Sequence, residues 1–485
     1  MNPSVVTGRV ARRRAIALIV AVLAAAAVLA SPAPDGLSPA AWRVAAVAVL
    51  MAILWITEAL PLAVTALMPL VLFPALGVAP VDAAAAPFAN PLIFLFMGGF
   101  LIALAIERWN LHRRIALMLL SAIGAREDLQ VGGILLATAL VSMWVSNTAT
   151  ALMMLPVALS IAPRPAAGAT GGEDARFAAA LLLAVAYGAS IGGVATLVGT
   201  PPNALFAGYM LASHGIDLGF GRWMLLGLPV TLLMLAVTWV LLTRVLYPLR
   251  RVPVPGAHAA VRHALAELGP ASTAEKRTAV VFGLTALAWI SRPLLAHWVP
   301  GLSDTSVAIA GALALFLVPS GAARGEKLLD WTQAERLPWG VLLLFGGGLS
   351  LAAAISDSGL AGWIGGRLAA LETWPTVLVI GAVVLLITLF SELASNTATA
   401  AAFLPVVAAL ATRLGEDPMV LALPAALAAS FGFMLPVATP PNAIVFASGR
   451  LTVAAMLRAG AWLDVLGVLV IIVVVTILAG PVFGA

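Results

Sequence analysis

The chain has 485 residues, 62% of them hydrophobic and 10% charged, with a mean hydropathy of +1.08 and a formal net charge of +5. Soluble globular proteins carry roughly a quarter charged residues, so this much apolar surface cannot be hidden in a water-soluble core and the composition predicts an integral membrane protein. With no cysteine the chain has no disulfides and no thiolate metal ligands, and nothing in it resembles the basic and aromatic array of a nucleic-acid binder.

The apolar runs are helical in length, about 20 residues, as a bilayer of about 30 Å demands; barrel strands would be about half as long. The first, Ala15 to Ala30, follows Arg12, Arg13 and Arg14. That pattern also suits a cleaved signal peptide, but a retained N-terminal helix (residues 1–40) leaves the charge pattern of the chain intact. A first half, 41–250, then holds spans at Ala41 to Glu58, Leu62 to Leu76, Pro91 to Glu107, Phe177 to Ala212 and Trp223 to Leu246. Residues 251–276 are polar and read as a cytoplasmic linker, with a short amphipathic helix around Ala260 to Leu268. The second half, 277–485, holds spans at Ala279 to Ile290, Ser306 to Val318, Trp339 to Ile355, Val420 to Ser448 and Trp462 to Leu478. These make eleven transmembrane helices. Two further apolar stretches, Val131 to Ala162 (within 129–165) and Pro375 to Leu410 (within 374–412), each carry a polar motif near the middle. A full crossing would place it in lipid, where each unsatisfied backbone group costs several kcal/mol, so both read as re-entrant hairpins.

The motifs show that one unit is built twice. Ser146-Asn147-Thr148-Ala149-Thr150 recurs as Ser395-Asn396-Thr397-Ala398-Thr399, and Leu95-Phe96-Met97-Gly98-Gly99 pairs with Leu344-Phe345-Gly346-Gly347-Gly348 at the same offset of 249 (395 − 146 and 344 − 95). Thr200-Pro201-Pro202-Asn203-Ala204 recurs as Thr439-Pro440-Pro441-Asn442-Ala443 at an offset of 239 (439 − 200). The ten extra residues of the first half fall in the Pro163 to Asp174 loop. Of the 26 basic residues, all but Arg43, Arg222, Arg292, Arg367 and Arg413 lie on the cytoplasmic side if the N-terminus is inside and both motif stretches return to the side they came from. The first hairpin then opens to the cytoplasm and the second to the exterior. The halves are inverted repeats, with broken helices at 177–212 and 418–449, as in many secondary transporters.

At a hairpin tip one half-helix ends in free carbonyls suited to a cation, and the next begins with free N–H groups suited to an anion. Ser, Asn and Thr cap such starts and can reach either ligand, and the paired prolines are expected to break their helices in mid-span. One Ser-Asn-Thr is more often interhelical packing and one Pro-Pro a kink; two matched copies of both point to a binding site. No charged residue occurs in 131–162, 177–213 or 420–449, and only Glu392 in 375–410, so a bound dianion would need helix termini and co-bound cations to offset its charge. Glu392 could touch a cation or hydrogen-bond to the scaffold. Glu58 and Glu107 read as interfacial, the five histidines as loop or interfacial, and Trp55 and Trp109 as aromatic-belt residues.

Together with Ile56-Thr57-Glu58-Ala59-Leu60-Pro61 and Leu111-His112-Arg113-Arg114, these motifs resemble those of the divalent anion/sodium symporter family (DASS, solute carrier family 13) over nearly the whole chain. The resemblance implies an all-α, elevator-type homodimer with a scaffold domain (the first four helices plus the seventh to ninth) and a mobile transport domain. It also implies a first sodium site at Ser142, Ser146, Asn147 and Gly199 and a second at Ser391, Ala394, Asn396 and Ala438. Serine at 391 is a mild departure from the threonine common there. Substrate carboxylates would meet Asn147, Thr148, Asn396 and Thr397, with Thr439 and Pro440 lining the pocket. The implied activity is sodium-coupled uptake of C4-dicarboxylates (succinate, malate, fumarate) across the plasma (inner) membrane, with the C-terminus outside and no organic cofactor. A sodium-independent exchanger and a sulfate or citrate carrier share the motifs. No nucleophile with a base, no aspartate pair and no metal cluster lies in the spans, which argues against an enzyme, and the doubled, closed motifs argue against a channel.

Overall fold

The computed structural model describes residues 3–163, 172–367 and 369–484; the end of the expected first hairpin and most of the loop assigned the ten extra residues lie outside them. The first half runs α1 (Pro3–Ala30), α2 (Pro39–Thr57), α3 (Leu62–Ala66), α4 (Met68–Ala75), α5 (Val81–Ala85), α6 (Pro91–Arg108), α7 (Leu111–Ala122), α8 (Glu127–Ser142), α9 (Asn147–Ile161), α10 (Glu173–Val194), α11 (Pro201–His214) and α12 (Phe220–Val240). Then come the linker helix α13 (Ala257–Glu267), α14 (Thr273–Leu295), α15 (Asp304–Leu317), α16 (Trp331–Ala334), α17 (Trp339–Asp357) and α18 (Leu360–Arg367). The chain closes with α19 (Thr376–Leu393), α20 (Asn396–Arg413), α21 (Met419–Ala429), α22 (Pro440–Phe446) and α23 (Val453–Phe483). Among the described residues the fold is helical without named strands, and 9 helices are long and apolar enough to cross a membrane. The protein is a multi-pass, all-α membrane protein.

Small residues set how closely the helices pack. Phe96 on α6 and its repeat image Phe345 on α17 (96 + 249) meet edge-to-face with centroids 5.2 Å apart. The repeat thus brings a residue into contact with its own image at this pair. A Cβ on Gly98 would stand 2.7 Å from the Ala308 backbone on α15, and one on Gly347 would overlap the Ala66 backbone on α3. These approaches are closed to any residue but glycine. α8 and α10 run side by side in a constant register of 53 residues, with Leu135 against Gly188, Ala139 against Gly192 and Met143 against Thr196. α10 is buried from Phe177 to Val194.

Several local expectations are corrected. The Leu62 to Leu76 span is two helices parted at Leu67, because Pro69 has no N–H to give the carbonyl four residues earlier. Trp55 is fully buried, donating its ring N–H to Leu62 O at 3.2 Å, and is core instead of belt. His112 is also buried, its Nδ1 3.2 Å from Ile106 O. The linker helix starts at Ala257, three residues earlier than the amphipathic pattern shows. The prolines do not interrupt helices; Pro201-Pro202 and Pro440-Pro441 open α11 and α22 at positions where the missing N–H is no loss. The chain leaves helical conformation before them, over 195–200 and 430–439.

Candidate functional site

Each Ser-Asn-Thr stands where one helix hands over to the next. α8 ends at Ser142 and α9 begins at Asn147, with Ser146 as its N-cap accepting Ala149 N–H at 3.3 Å. α19 ends at Leu393 and α20 begins at Asn396, with Ala394 extended between them. The same side-chain cluster forms in both halves. Ser142 Oγ, fully buried, lies 2.7 Å from Asn147 Oδ1 and 2.7 Å from Ala189 O. Ser391 Oγ, fully buried, lies 3.0 Å from Asn396 Oδ1 and 2.7 Å from Ala429 O. A hydroxyl with one hydrogen donates to one acceptor at a time, so each cluster gathers more oxygen lone pairs than hydrogens.

The breaks close against these clusters. Gly199 folds back so tightly on Gly193 that a Cβ on it would overlap the Gly193 carbonyl; one on Gly193 would sit 2.7 Å from Asn147 Oδ1 and 3.0 Å from Gly199 O. In the second half Gly432 (193 + 239) is looser, its Cβ position 3.4 Å from both Ala438 Cβ and Ser391 O. That spacing is why alanine stands at 438 where the first half needs Gly199. The structure thus brings Ser142, Asn147 and Gly199 together, and Ser391, Asn396 and Ala438. Ser146 keeps its side chain on its own helix as a cap, and Ala394 is buried at the end of α19.

The substrate candidates differ in access. Thr148 is exposed, Asn147 and Asn396 are half-buried, Thr397 and Thr439 are buried, and Pro440 is exposed. Thr439 Oγ1 accepts Asn442 N–H at 3.3 Å as the α22 cap, whereas the Thr200 side chain makes no cap bond. Arms from the two halves interlock: α9 packs on α22 and α11 on α20.

Sequence reasoning missed the asparagines of the Thr-Pro-Pro-Asn motif as structural agents, although their duplication was the signal. Asn203 Nδ2 donates to the break carbonyls of Gly193 at 3.2 Å and Thr196 at 2.8 Å. Asn442 Nδ2 donates to the equivalent carbonyls, Gly432 at 3.1 Å and Leu435 at 2.9 Å. Both side chains are fully buried, and both Oδ1 atoms lack a partner among the described residues. The Glu392 carboxylate accepts N–H groups of the break in its own half, Met434 at 2.8 Å and Leu435 at 2.9 Å, and stands beside the Asp464 carboxyl of α23.

A family model described as "Sodium:sulfate symporter transmembrane region" matches residues 12–483. The chain belongs to this family of membrane symporters. It is 39% identical over 459 residues to a protein named sodium-dependent dicarboxylate transporter SdcS from Staphylococcus saprophyticus, a match covering 93% of this chain and 88% of that one. The Staphylococcus aureus (strain USA300) protein of the same name is 38% identical over 440 residues, covering 89% and 85%. Two solved structures share the fold. The Alcanivorax borkumensis YdaH transporter has a TM-score of 0.58 at 17% identity, covering 82% of this chain and 87% of that one. Neisseria gonorrhoeae MtrF has a TM-score of 0.58 at 13% identity, covering 97% and 94%. The chain is a membrane transporter and not an enzyme.

Proposed function

We propose that this transporter takes up C4-dicarboxylates such as succinate, malate and fumarate together with sodium. Two equivalent oxygen clusters in stretches that hold no basic side chain carry the reading. A dianion placed between the two tips finds N–H groups at the starts of α9 and α20, but burying its charge needs a counter-charge. Sodium ions held by Ser142, Ser146, Asn147 and Gly199 and by Ser391, Ala394, Asn396 and Ala438 provide it. Asn147, Thr148, Asn396 and Thr397 receive the carboxylates, and Thr439 and Pro440 line the pocket. Relatives at 38–39% identity named as sodium-dependent dicarboxylate transporters support this assignment.

The proposed working unit is a homodimer in the plasma membrane, with the N-terminus cytoplasmic and the C-terminus outside. Within each protomer the hairpins α8–α9 and α19–α20, the broken helices and α12 and α23 move as an elevator against a scaffold of α1–α6, α14, α15 and α17.

Substrate and coupling are tested together by thermal shift of the purified protein with succinate, malate, fumarate, citrate and sulfate, each with sodium or with choline at equal ionic strength. By linkage, sodium must tighten substrate and substrate must tighten sodium by the same factor. Stabilisation by succinate only with sodium, and sodium-driven succinate uptake into liposomes, is the expected outcome. Response to sulfate with none to succinate would reassign the substrate; succinate affinity independent of sodium would replace symport by exchange.

A further inference from the structure

The two halves fasten tip to break at the same place with different chemistry. In the first half Thr196 is the node: its carbonyl receives Asn203 Nδ2 at 2.8 Å and its Oγ1 donates to Met143 O, at the hairpin tip, at 2.6 Å. The repeat image of Thr196 is Leu435 (196 + 239), whose carbonyl receives Asn442 Nδ2 at 2.9 Å. Leucine has no hydroxyl to send to the tip. The image of Met143 is Glu392 (143 + 249), and there the link is rebuilt from the opposite side: the tip supplies a carboxylate, and the break supplies the N–H groups of Met434 and Leu435 at 2.8 and 2.9 Å. Thr196 is fully buried and Glu392 is 2% exposed, with no basic partner among the described ion pairs. A tip-to-break link kept at one topological position by two unrelated bonding schemes answers a geometric need, and the need lies in the break carbonyls beside it.

We propose that Thr196 and Glu392 are the positioning residues of the first and second cation sites, each holding the break of its half in register with the Ser–Asn pair of its own tip. Neither touches substrate. Each acts through the backbone it fixes: Thr196 on the stretch from Gly193 to Gly199, Glu392 on the stretch from Gly432 to Ala438. The clasps are unequal: Thr196 gives one neutral hydrogen bond, whereas the Glu392 carboxylate takes N–H groups of Met434 and Leu435 and also meets the Asp464 carboxyl of α23, so the second break is the more firmly held and its release is the more damaging to ion binding.

The proposal rests on the sodium reading of the tips, and its test separates the two. In the full-length protein without sodium, Glu392→Gln should speed amide hydrogen exchange over residues 432–438 and leave 193–199 unchanged; Thr196→Val, of nearly the same shape, should do the reverse. The Thr196 bond is neutral and the Glu392 bonds are charge-assisted, so the sodium half-saturation for succinate binding should rise several-fold, up to roughly ten-fold, in Thr196→Val and roughly ten-fold or more in Glu392→Gln. Thr196→Ser should restore it, and Glu392→Asp should fall between. Faster local exchange with an unchanged sodium half-saturation would make the clasps mere packing and overturn the proposal. A wild-type protein with no sodium effect at all would instead refute the cation reading on which it stands.

Discussion

The same substitution at equivalent glycines should have very unequal consequences. A Cβ on Gly193 would lie 2.7 Å from Asn147 Oδ1, whereas ordinary contact begins at 3.4 Å, so the amide must retreat by about 0.7 Å (3.4 − 2.7). Asn147 Oδ1 is held 2.7 Å from Ser142 Oγ, and a shift of that size takes an O–H···O bond beyond its normal range of about 2.5–3.0 Å. If Asn147 contacts sodium or carboxylate, a lost bond to a charged group is worth about 1.5–3 kcal/mol, or ten-fold to just over a hundred-fold in affinity. Gly193 is the penultimate residue of α10, so little helix propensity is gained, and overpacking a filled site costs about 1–3 kcal/mol. Gly193→Ala should therefore melt a few degrees below wild type, still folded, while binding succinate at fixed sodium at least ten-fold more weakly. Gly432→Ala meets only ordinary contacts at 3.4 Å and should stay within roughly two-fold, as neutral substitutions do. Succinate titration by calorimetry, with a melting curve for each variant, measures both quantities. Equal losses in the two variants, or wild-type affinity in Gly193→Ala, would show that the clusters described above do not bind the ligands.

Thr148→Ala and Thr397→Ala each delete a hydroxyl proposed to meet a carboxylate, and succinate affinity should fall roughly ten-fold or more in each while the melting curve holds; isothermal titration decides. Because the chain has no cysteine, Ala175→Cys and Asp417→Cys can be labelled without background. Ala175 is expected to react from the cytoplasm and Asp417 from outside, and labelling of both from one side would rule out the inverted repeat. In the loop after α15, Asp330 accepts Gln333 N–H at 3.0 Å and an Arg108 N–H at 2.7 Å, which hold its carboxyl below the usual carboxylate range. A lowered folded-state value adds stability above the ordinary value of about 3.9 that is lost as the pH falls through the lowered one. Asp330→Asn, still a good helix cap, should flatten the acid limb of the melting temperature measured against pH.

What was legible in the sequence is what duplication and hydropathy carry. Ser-Asn-Thr and Thr-Pro-Pro-Asn mark the tips and breaks to within a residue or two because capping residues and prolines act locally, and the helices follow the apolar runs. The partners of these motifs were not legible. Thr196, Gly193 and Gly432 are single residues in apolar stretches, and their meaning arises only when the chain folds back to bring Gly199 onto Gly193. Glu392 was visible as the one charge in its stretch, but its bonds go to backbone N–H groups of a break 42 and 43 residues away, which no spacing rule marks. Trp55 was misread as belt because a tryptophan near a helix end looks the same from sequence whether its ring faces headgroups or a neighbouring helix.

The contacts around the Phe96–Phe345 pair bear on how such a molecule could move. On α6 Gly98 and Gly99 stand in succession, and on α17 their images Gly347 and Gly348 follow Gly346; the members of each pair lie about 100° apart around the helix. The first of each pair, Gly98 or Gly347, is fastened to α15 or α3, helices of the proposed scaffold, with no room for a methyl group. The second faces the proposed moving part: a Cβ on Gly99 would lie 3.0 Å from Val198, and one on Gly348 3.3 Å from Ala401 and 3.4 Å from Leu205. One side of each helix is locked backbone to backbone, while the other offers only side-chain contact, which can be exchanged at small cost. Near the start of α12 the contact is polar instead: Arg292 pairs with Asp217 at 3.1 Å and Asp304 at 3.2 Å, Phe220 N–H donates to Asp304 at 2.7 Å, and the Phe220 and Trp289 rings stack 4.4 Å apart. Asp217 is half exposed, so water can replace that ion pair as it parts, and exposed pairs contribute only about 0–1 kcal/mol. The exchangeable side-chain contacts and the hydrated ion pair can be left and re-formed at small cost, so the buried Phe220 N–H···Asp304 bond and the Phe220–Trp289 stack are the contacts that would set the cost of an elevator motion.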